Sequence, residues 1–428
     1  MTSSESLRPR GRWGRAPIRH GRLKRRQPFA TLAIAVAAVF GVLAVSGGSV
    51  AAITVGDVLS SVKPGIHLAH LSGQNDAPIP DVGAIEGGVN LLLVGTDTRT
   101  GQGGAYSGAR ELASSSGAGN NDVTMLLHIA KNHQSATVVS FPRDLMVRVP
   151  SCPRRGGGTY PASSQAMINS TLARGGLSCV VLTVEKLTGV QIPFAAEISF
   201  DGVTAMSNAV GGVTVCLASP VNDLYTNPPL HLAAGEQTIV GAEALSFLRS
   251  RHGVGDGSDL GRISNQQVFL SALARKIESG GVLGNPLQLY PLAKAAAVTM
   301  TLSDTLTNPL TMVEIALALK DTGLANMVFL QYPTVADPNN ANRVVPLSSA
   351  AAILNAALLA DQPVRLSGTT GRAAVIDTSA PPPSSTSTPT STAAPTPTPT
   401  SAPAVVVLPT TVLGQTAAQQ TCTKGNSG

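Results

Sequence analysis

A stretch of 22 residues without a charged side chain, residues 29–50, follows directly on a strongly basic segment. A helix of this length rises roughly 30 Å, which is enough to cross the hydrocarbon core of a bilayer. Residues 1–27 contain nine Lys or Arg side chains and one acid, so the positive-inside rule predicts a cytoplasmic N-terminus. We therefore expect a single-pass protein of the cell membrane, with a basic cytoplasmic tail (1–27), a transmembrane anchor (28–53) and an extracellular body. The alternative is a signal peptide cleaved near residues 49–51, although its apolar region would be long for that role.

The basic charge of the chain is confined to that first segment. The whole sequence sums to +6 and residues 1–27 alone sum to +8, so the other 401 residues sum to −2. A body that binds nucleic acid is therefore not expected. Hydrophobic residues make up 43% of the chain and charged residues 13%, which excludes global disorder.

Apolar segments with strand and helix spacing alternate from residue 89 onward, and this alternation predicts a layered α/β domain. The predicted strands are 90–95, 124–130, 136–140, 195–200, 213–217 and 327–332. The predicted helices are 177–187, 202–210, 242–248, 259–277, 287–297, 312–319 and 349–359.

Composition also suggests where the parts of the body begin and end. We expect a juxtamembrane stalk over 54–87, a main domain over 88–277, and a part made of helices and strands over 278–377 that packs on it. Residues 379–403 contain only Pro, Ser, Thr and Ala, which cannot bury a core. Residues 378–428 are therefore predicted to form a disordered tail.

The four cysteines lack the spacing of a metal site and are consistent with an oxidising compartment. One disulfide is expected among Cys152, Cys179 and Cys216, with Cys152–Cys179 slightly favoured. The sequence does not decide among the full pairings, and Cys422 is either free or paired elsewhere.

Two acids lie where predicted neighbouring strands end and begin. Asp97 follows the strand 90–95, and Asp122 precedes the strand 124–130. Two carboxylates that converge in this way, together with water and substrate phosphate oxygens, are a common means of holding Mg²⁺. Each acid taken singly is more often a turn or cap residue.

A third group of polar residues combines arginines with an acid and an amide. Arg143 follows the strand 136–140, and Arg249 and Arg251 follow a predicted helix. Asp259 suits the N-cap of the next helix, and four residues separate Arg262 from Gln266 on one face of that helix. A helix N-terminus with guanidinium groups favours an anion. The alternative is a solvated helix start with an exposed Arg–Asp pair.

These residues lie in seven separated motifs that resemble the LytR-CpsA-Psr family of membrane-anchored cell-wall glycopolymer transferases, in its actinobacterial form. The motifs cover about residues 88–277, in the order that the family has. They are NLLLVGTDTR, NDVTMLLHI, VVSFPRDLMV, INSTLARGG with TVEKLTGV, VGGVTVCL, AGEQ with GAEALSFLRSRHG, and GSDLGRISNQQ.

The resemblance implies an αβα fold with a central mixed sheet and an apolar pocket for a polyprenyl chain. It implies transfer of a glycopolymer from a polyprenyl-diphosphate carrier to peptidoglycan, with formation of a phosphodiester bond, at a membrane lipid surface and without nucleic acid. Asp97 and Asp122 would bind Mg²⁺ or Mn²⁺. The residues implied to bind the diphosphate are Arg99, Arg143, Arg249, Arg251, Arg262 and Gln266, and those implied in catalysis are Arg143, Arg251 and Asp259.

The sequence departs from the family in two places. Val123 follows Asp122 where the family usually has Ser or Thr, which puts that position's contribution to the metal site in question. The loop 100–121 is long and rich in Gly and Ser, and is interpreted as either a mobile lid or slack. Two other functions stay open, namely a diphosphatase that releases the lipid by hydrolysis and a non-catalytic surface or regulatory protein.

Overall fold

The computed structural model describes residues 57, 60–71, 87–115, 117–154, 156–279, 286–378 and 404–426. The predicted cytoplasmic tail, the transmembrane anchor and the segment 379–403 lie outside the described residues. Within the described ranges, no helix combines the length and the apolar character that crossing a bilayer requires. The elements below all belong to the unit of residues 56–428.

The α-helices of the described chain are labelled α1 to α8. They are Ala109–Ser114, Thr171–Thr188, Phe200–Val210, Gly241–Arg249, Asp259–Ser279, Pro286–Thr299, Pro309–Thr322 and Ser348–Leu359. The strands β1 to β12 are Val89–Thr96, Asn121–Ile129, Ala136–Phe141, Met146–Val149, Cys152–Pro153, Thr159–Tyr160, Ser163–Met167, Phe194–Ile198, Val213–Leu217, Val221–Asp223, Leu230–Leu232 and Gly235–Ile239. The strands β13 to β21 are Met300–Leu302, Met327–Gln331, Thr334–Asp337, Asn340–Pro346, Val364–Arg365, Ala374–Ile376, Val406–Val407, Gly414–Thr416 and Thr421–Thr423.

In the described part of the chain, seven strands form a central mixed sheet in the order β13-β8-β1-β2-β3-β14-β20. β1, β2 and β3 are antiparallel neighbours, whereas β8 runs parallel to β1 and β14 runs parallel to β3. The predicted mixed α/β architecture is therefore confirmed, and the strands and helices predicted from spacing lie at the expected places.

Side chains of the central strands alternate between two apolar cores, one on each face of the sheet. Leu92 and Val94 point into a core shared with α2 and α8. Leu91 and Leu93 point to the other face, where the core includes residues of α5 and α7. This alternation follows from the two-residue period of a strand, and it produces three layers.

A second sheet, in the order β12-β9-β21-β18, packs with α4 and α5 around a third core. Helix α5 thus lies between the two sheets, with Phe269 in the third core and Leu270 against the central one. β21 belongs to this sheet and β20 to the central sheet. The prediction that all of residues 378–428 are disordered is wrong for 404–426, which we call the C-terminal segment.

Two disulfides account for all four cysteines. Cys152–Cys179 joins β5 to α2, as favoured from the sequence, and Cys216–Cys422 joins β9 to β21. The second bond closes a separation of 206 residues, so it covalently ties the C-terminal segment to the second sheet.

Two predicted boundaries do not correspond to separate parts of this unit. Residues 60–71 were assigned to a stalk, yet Leu68 is buried in the first core and Ile66 pairs with Ser303. The predicted boundary after residue 277 divides the central sheet, because β13 and β14 lie beyond it.

Candidate active site

A β-bulge at the start of β2 sets the position of Asp122. Gly95 pairs with Val123 and Thr96 pairs with Asn121, so Asp122 has no partner on β1. A bulge of this kind bends the strand and redirects a side chain. Gly95 permits the close approach of the two strands, since a Cβ there would lie 2.9 Å from the Cβ of Val123.

Asp122 and Asp259 are joined through two arginines. Nη1 of Arg143 donates a hydrogen bond to Oδ1 of Asp122 at 3.0 Å, and its backbone N–H donates to Oδ2 of Asp259 at 3.2 Å. Nη2 of Arg262 lies 2.6 Å from the carbonyl oxygen of Asp122 and 2.7 Å from Oδ1 of Asp259. Burial alone would lower the pKa of Arg143, but the carboxylates of Asp122 and Asp259 raise the pKa overall.

Asp259 is the first residue of α5 rather than its N-cap, which corrects the sequence interpretation. The hydroxyl of Ser258 accepts a hydrogen bond from the N–H of Gly261 at 3.1 Å and so satisfies the free end of the helix. The carboxylate of Asp259 is 8% exposed and is left to pair with arginines.

A cavity of about 320 Å³, which we call the tunnel, begins beside this network and runs between α3, α5 and the central sheet. Most of its walls are apolar, and they include Val203, Leu248 and Leu270. Its polar lining is Thr96, Asp122, Ser199, Ser207, Arg249, Arg262 and Gln266. Val123 also lines the tunnel, so the residue that departs from the family adds apolar wall next to Asp122.

Two predicted arginines stack on an aromatic pair at the tunnel mouth. The guanidinium of Arg249 lies 4.1 Å from the ring centre of Phe200, and that of Arg99 lies 4.8 Å from Tyr106. Arg99 also pairs with Glu111 at 2.5 Å. Burial lowers the pKa of Arg249, and the nearby charge of Arg99 adds to this effect. Tyr106, which is 5% exposed and accepts a hydrogen bond from Arg249 at 3.3 Å, thus connects the first part of the loop 100–121 to the site.

The residues 250–257, which we call the Arg251 loop, are held by a buried acid on β10. Oδ2 of Asp223 accepts hydrogen bonds from the hydroxyl of Ser250 at 2.8 Å and from the backbone N–H of Arg251 at 3.1 Å and of Gly253 at 3.0 Å. The C-terminal segment supports the other side of the loop, where the N–H of Gly255 donates to the carbonyl of Lys424 at 2.9 Å. The backbone of Arg251 is therefore fixed while its guanidinium is left available.

Four of the predicted arginines carry buried donors that lack a partner. In the part of the chain that the structure describes, the Nε atoms of Arg99, Arg143, Arg251 and Arg262 are buried and make no hydrogen bond. Such donors are costly to leave unsatisfied. They are well suited to an anion with several oxygens, because charge-assisted bonds from guanidinium are among the strongest available.

The two predicted metal ligands are used differently. Oδ1 of Asp97 accepts hydrogen bonds from the hydroxyl of Ser115 at 2.9 Å and the N–H of Asn120 at 2.6 Å, so Asp97 braces its own loop. Its Oδ2 accepts one longer bond of 3.2 Å from Asn120, and Oδ2 of Asp122 accepts none from described residues. Oδ2 of each acid thus accepts no short hydrogen bond from the described residues, and carboxylate oxygens are the kind of ligand that a hard divalent cation prefers.

Gln266 lines the tunnel as its position on α5 predicts, but its amide is partly used within the protein. Nε2 donates to the carbonyl of Leu248 at 3.0 Å and so ties α5 to α4. Its Oε1, which can accept a hydrogen bond, and the second N–H of Nε2, which can donate one, remain for a ligand.

Sequence reasoning missed the aromatic residues Tyr106 and Phe200 and the supporting acid Asp223. Tyr106 lies in a loop without periodicity, and Asp223 lies on a strand of three residues, so neither carried a recognisable local pattern. Phe200, an aromatic residue at the start of α3, is the one of these three residues that the sequence could have indicated.

The chain is similar to bacterial proteins whose names refer to cell wall biosynthesis or to teichoic acid transfer. It is 36% identical over 217 residues to "Probable cell wall biosynthesis protein LcpB" from Corynebacterium glutamicum, which covers 51% of this chain and 49% of that protein. It is 28% identical over 242 residues to "Polyisoprenyl-teichoic acid--peptidoglycan teichoic acid transferase TagU" from Bacillus cereus, covering 56% and 69%. The chain therefore spans about half the length of the corynebacterial relative.

The fold matches that of solved proteins. A crystal structure from Streptococcus agalactiae aligns with a TM-score of 0.51 at 21% identity, over 64% of this chain and 87% of that one, and it supports the fold alone. The family model described as "LytR_cpsA_psr family" matches residues 67–357, which include β1 to β16 and every predicted site residue. The chain therefore belongs to the LytR-CpsA-Psr family.

Proposed function

We propose that this protein transfers a glycopolymer from a polyprenyl-diphosphate carrier to peptidoglycan and forms a phosphodiester link. The observation that carries the proposal is the apolar tunnel with Asp122, Arg249 and Arg262 at its mouth. An apolar wall suits a prenyl chain, and guanidinium groups suit a diphosphate. In a prenyl diphosphate an apolar chain ends in a charged head group, just as the apolar tunnel ends at the arginines.

The charges of the predicted residues also suit this donor. The nine residues include five arginines and three aspartates, and when Glu111, which pairs with Arg99, is counted with them the sum is +1, which offsets part of the two negative charges of a diphosphate diester. Each guanidinium about 4 Å from a phosphate charge contributes roughly 4 kcal/mol of attraction at an effective dielectric constant near 20, before desolvation. The nine residues are Asp97, Arg99, Asp122, Arg143, Arg249, Arg251, Asp259, Arg262 and Gln266.

The names of the relatives support a cell-wall substrate. TagU is named for transfer of a teichoic acid to peptidoglycan from a polyisoprenyl-linked form, and LcpB is named for cell wall biosynthesis. We propose substrates of the same class here, and a location at the outer face of the cell membrane, to which residues 28–53 would anchor the chain.

In the proposed reaction, a hydroxyl oxygen of the acceptor attacks the polymer-side phosphorus. The new P–O bond replaces the bond to the bridging oxygen, and polyprenyl phosphate leaves with the bonding electrons. The protein's contribution is to position the reactants and to stabilise charge on the phosphoryl oxygens. Arg143 and Arg262 would serve this second role, because carboxylates already hold both side chains in place.

We further propose that Asp97 and Asp122 hold Mg²⁺ or Mn²⁺, each through its Oδ2. When bound, the cation would neutralise charge on the diphosphate. Asp122 would then join the metal to the arginine network, since its Oδ1 is already bonded to Arg143.

A transfer assay with the full chain in detergent tests this function. The donor is a short saccharide on a polyprenyl diphosphate, the acceptor is a soluble peptidoglycan fragment, and mass spectrometry identifies a phosphodiester product. Arg262→Gln should lower transfer at least 100-fold. Arg148→Gln, at an exposed residue of β4, is the matched control and should leave transfer unchanged.

Two outcomes would contradict the proposal. Release of the saccharide phosphate into water without any linked product, in the presence of the acceptor, would instead indicate a diphosphatase. Undiminished transfer by Arg262→Gln would remove the arginine network from the mechanism.

A further inference from the structure

A second cavity, lined by polar residues and separate from the tunnel, opens beside the arginine network. It encloses about 580 Å³, and we call it the polar cleft. Its lining combines the ends of β3 and the start of α5 with the hairpin of β15 and β16. The lining residues used below are Arg143, Asp144, Arg251, Asp259 and Arg343.

The hairpin is fixed against the site. The N–H of Val344 donates to the carbonyl of Asp144 at 3.3 Å, and Leu145 forms a bridge with Val344. One wall of the polar cleft is therefore held in place by the residue that follows Arg143.

Two ion pairs separate the tunnel from the polar cleft. In the pair Arg143–Asp122, at 3.0 Å, the arginine lines the polar cleft and the acid lines the tunnel. In the pair Arg262–Asp259, at 2.7 Å, the arginine lines the tunnel and the acid lines the polar cleft. A phosphorus atom held at these pairs would thus be reached from both cavities. In-line displacement needs this arrangement, with the leaving and attacking oxygens on different sides.

The polar cleft carries positive charge that no described residue neutralises. The guanidinium of Arg343 contacts the sulfur of Met146 at 3.6 Å and forms no ion pair with a carboxylate of the described chain. The Nε of Arg251 is buried and unpartnered. Asp144 accepts no side-chain hydrogen bond from described residues. The one ion pair of its carboxylate in the described chain is with Nε of Arg143, at 3.8 Å.

We infer that the polar cleft is the acceptor subsite, and that it takes a hydroxyl-bearing saccharide with a carboxylate, which Arg343 binds. This inference rests on the proposed function and names the acceptor side of the same site. The acceptor oxygen attacks phosphorus from the polar cleft, its proton passes to the carboxylate of Asp144, and polyprenyl phosphate leaves towards the tunnel. Burial raises the pKa of Asp144, and the carboxylate of Asp259 raises it further against the charges of Arg143 and Arg251, which makes Asp144 a better proton acceptor than an ordinary carboxylate.

The test compares a soluble peptidoglycan fragment that carries a free carboxylate, the acidic saccharide, with the same fragment in which that carboxyl group is amidated. Arg343→Gln should lower the ratio of kcat/KM for the acidic over the amidated acceptor roughly 10- to 100-fold, the scale of a lost charge-assisted bond. Asp144→Asn should instead lower kcat for both acceptors, by roughly 100- to 10,000-fold. Arg148→Gln is the control and should change neither quantity.

Calorimetric binding of the acidic saccharide, without donor, separates this inference from the proposed function. If the full chain binds the saccharide through Arg343 but performs no transfer, the subsite stands and the proposed reaction fails. If transfer occurs and Arg343→Gln alters neither the acceptor ratio nor saccharide binding, the subsite is wrong and the proposed reaction stands.

Discussion

Removal of the disulfide that holds the C-terminal segment should destabilise the protein more than removal of the one in the core. Cys216–Cys422 spans 206 residues and Cys152–Cys179 spans 27. A cross-link stabilises mainly by restricting the unfolded chain, so its contribution grows with the logarithm of the loop length. The loop entropies correspond to about 5.4 kcal/mol for the long loop and about 3.6 kcal/mol for the short one. The expected difference is therefore about 1.8 kcal/mol.

The measurement is urea-induced unfolding of two paired variants, extrapolated linearly to water. The Cys216→Ala/Cys422→Ala protein should lose about 1.8 kcal/mol more than the Cys152→Ala/Cys179→Ala protein, which is the matched control because it loses the same atoms. If the control variant unfolds at the lower urea concentration, loop length does not govern the contribution of these bonds.

The same variant should also lose binding of the diphosphate donor, whereas the control should keep it. The C-terminal segment braces the Arg251 loop, since the N–H of Asn426 donates to the carbonyl of Gly253 at 2.9 Å. Without the Cys216–Cys422 bond, the Arg251 loop must become ordered when the donor binds, and this cost raises the Kd for the donor. An unchanged donor Kd under conditions where the variant is folded would refute this link.

Two further predictions concern buried acids. Burial raises the pKa of Asp223, but the hydrogen bond from Ser250 and the backbone hydrogen bonds outweigh this effect and lower the pKa overall. Ionised Asp223 therefore stabilises the fold above its unfolded pKa of about 3.9, and this stability is lost as the pH falls through the lower pKa of the folded state. Asp223→Asn should cost about 1–3 kcal/mol at pH 7 and flatten the acid limb of stability, as measured by urea unfolding at pH 2 to 7. Burial raises the pKa of Glu185 despite a hydrogen bond from the N–H of Ile192, so ionised Glu185 destabilises the fold above the unfolded pKa of about 4.3. Glu185→Gln should therefore stabilise the protein by roughly 1–3 kcal/mol at pH 8 and have little effect at pH 3.5, and a lower Tm at pH 8 would contradict this account.

Local patterns in the sequence predicted five of the seven strands that form the central sheet in the described chain, together with several candidate site residues at their ends. Asp97, Asp122 and Arg143 lie at the ends of strands with strong apolar periodicity, and two of them, Asp122 and Arg143, meet there at 3.0 Å. The pair Arg262 and Gln266 was predictable for a similar reason, because a helix brings residues four positions apart onto one face.

Other features depend on contacts that no local pattern reports. The bulge at Asp122 results from the register between β1 and β2, and the cap at Ser258 results from the competition of two adjacent polar residues for one helix end. β20 and β21 have three residues each, too few to show a period, and they follow a segment composed only of Pro, Ser, Thr and Ala. Their place is set by β14, β9 and the disulfide to Cys216.

Helix α5 explains how such distant segments act on one site. Its first turns supply Asp259 and Arg262, and Asn265 lies one turn further along the helix. Oδ1 of Asn265 accepts a hydrogen bond from the hydroxyl of Thr423 at 2.8 Å, and its Nδ2 donates one to the carbonyl of Phe247 at 2.7 Å. Asn265 is fully buried, so loss of either partner would leave a polar group unsatisfied at a cost of about 1–3 kcal/mol. The start of α5 is thus held between α4 and the C-terminal segment, so a change in either element should reach the arginine network through Asn265.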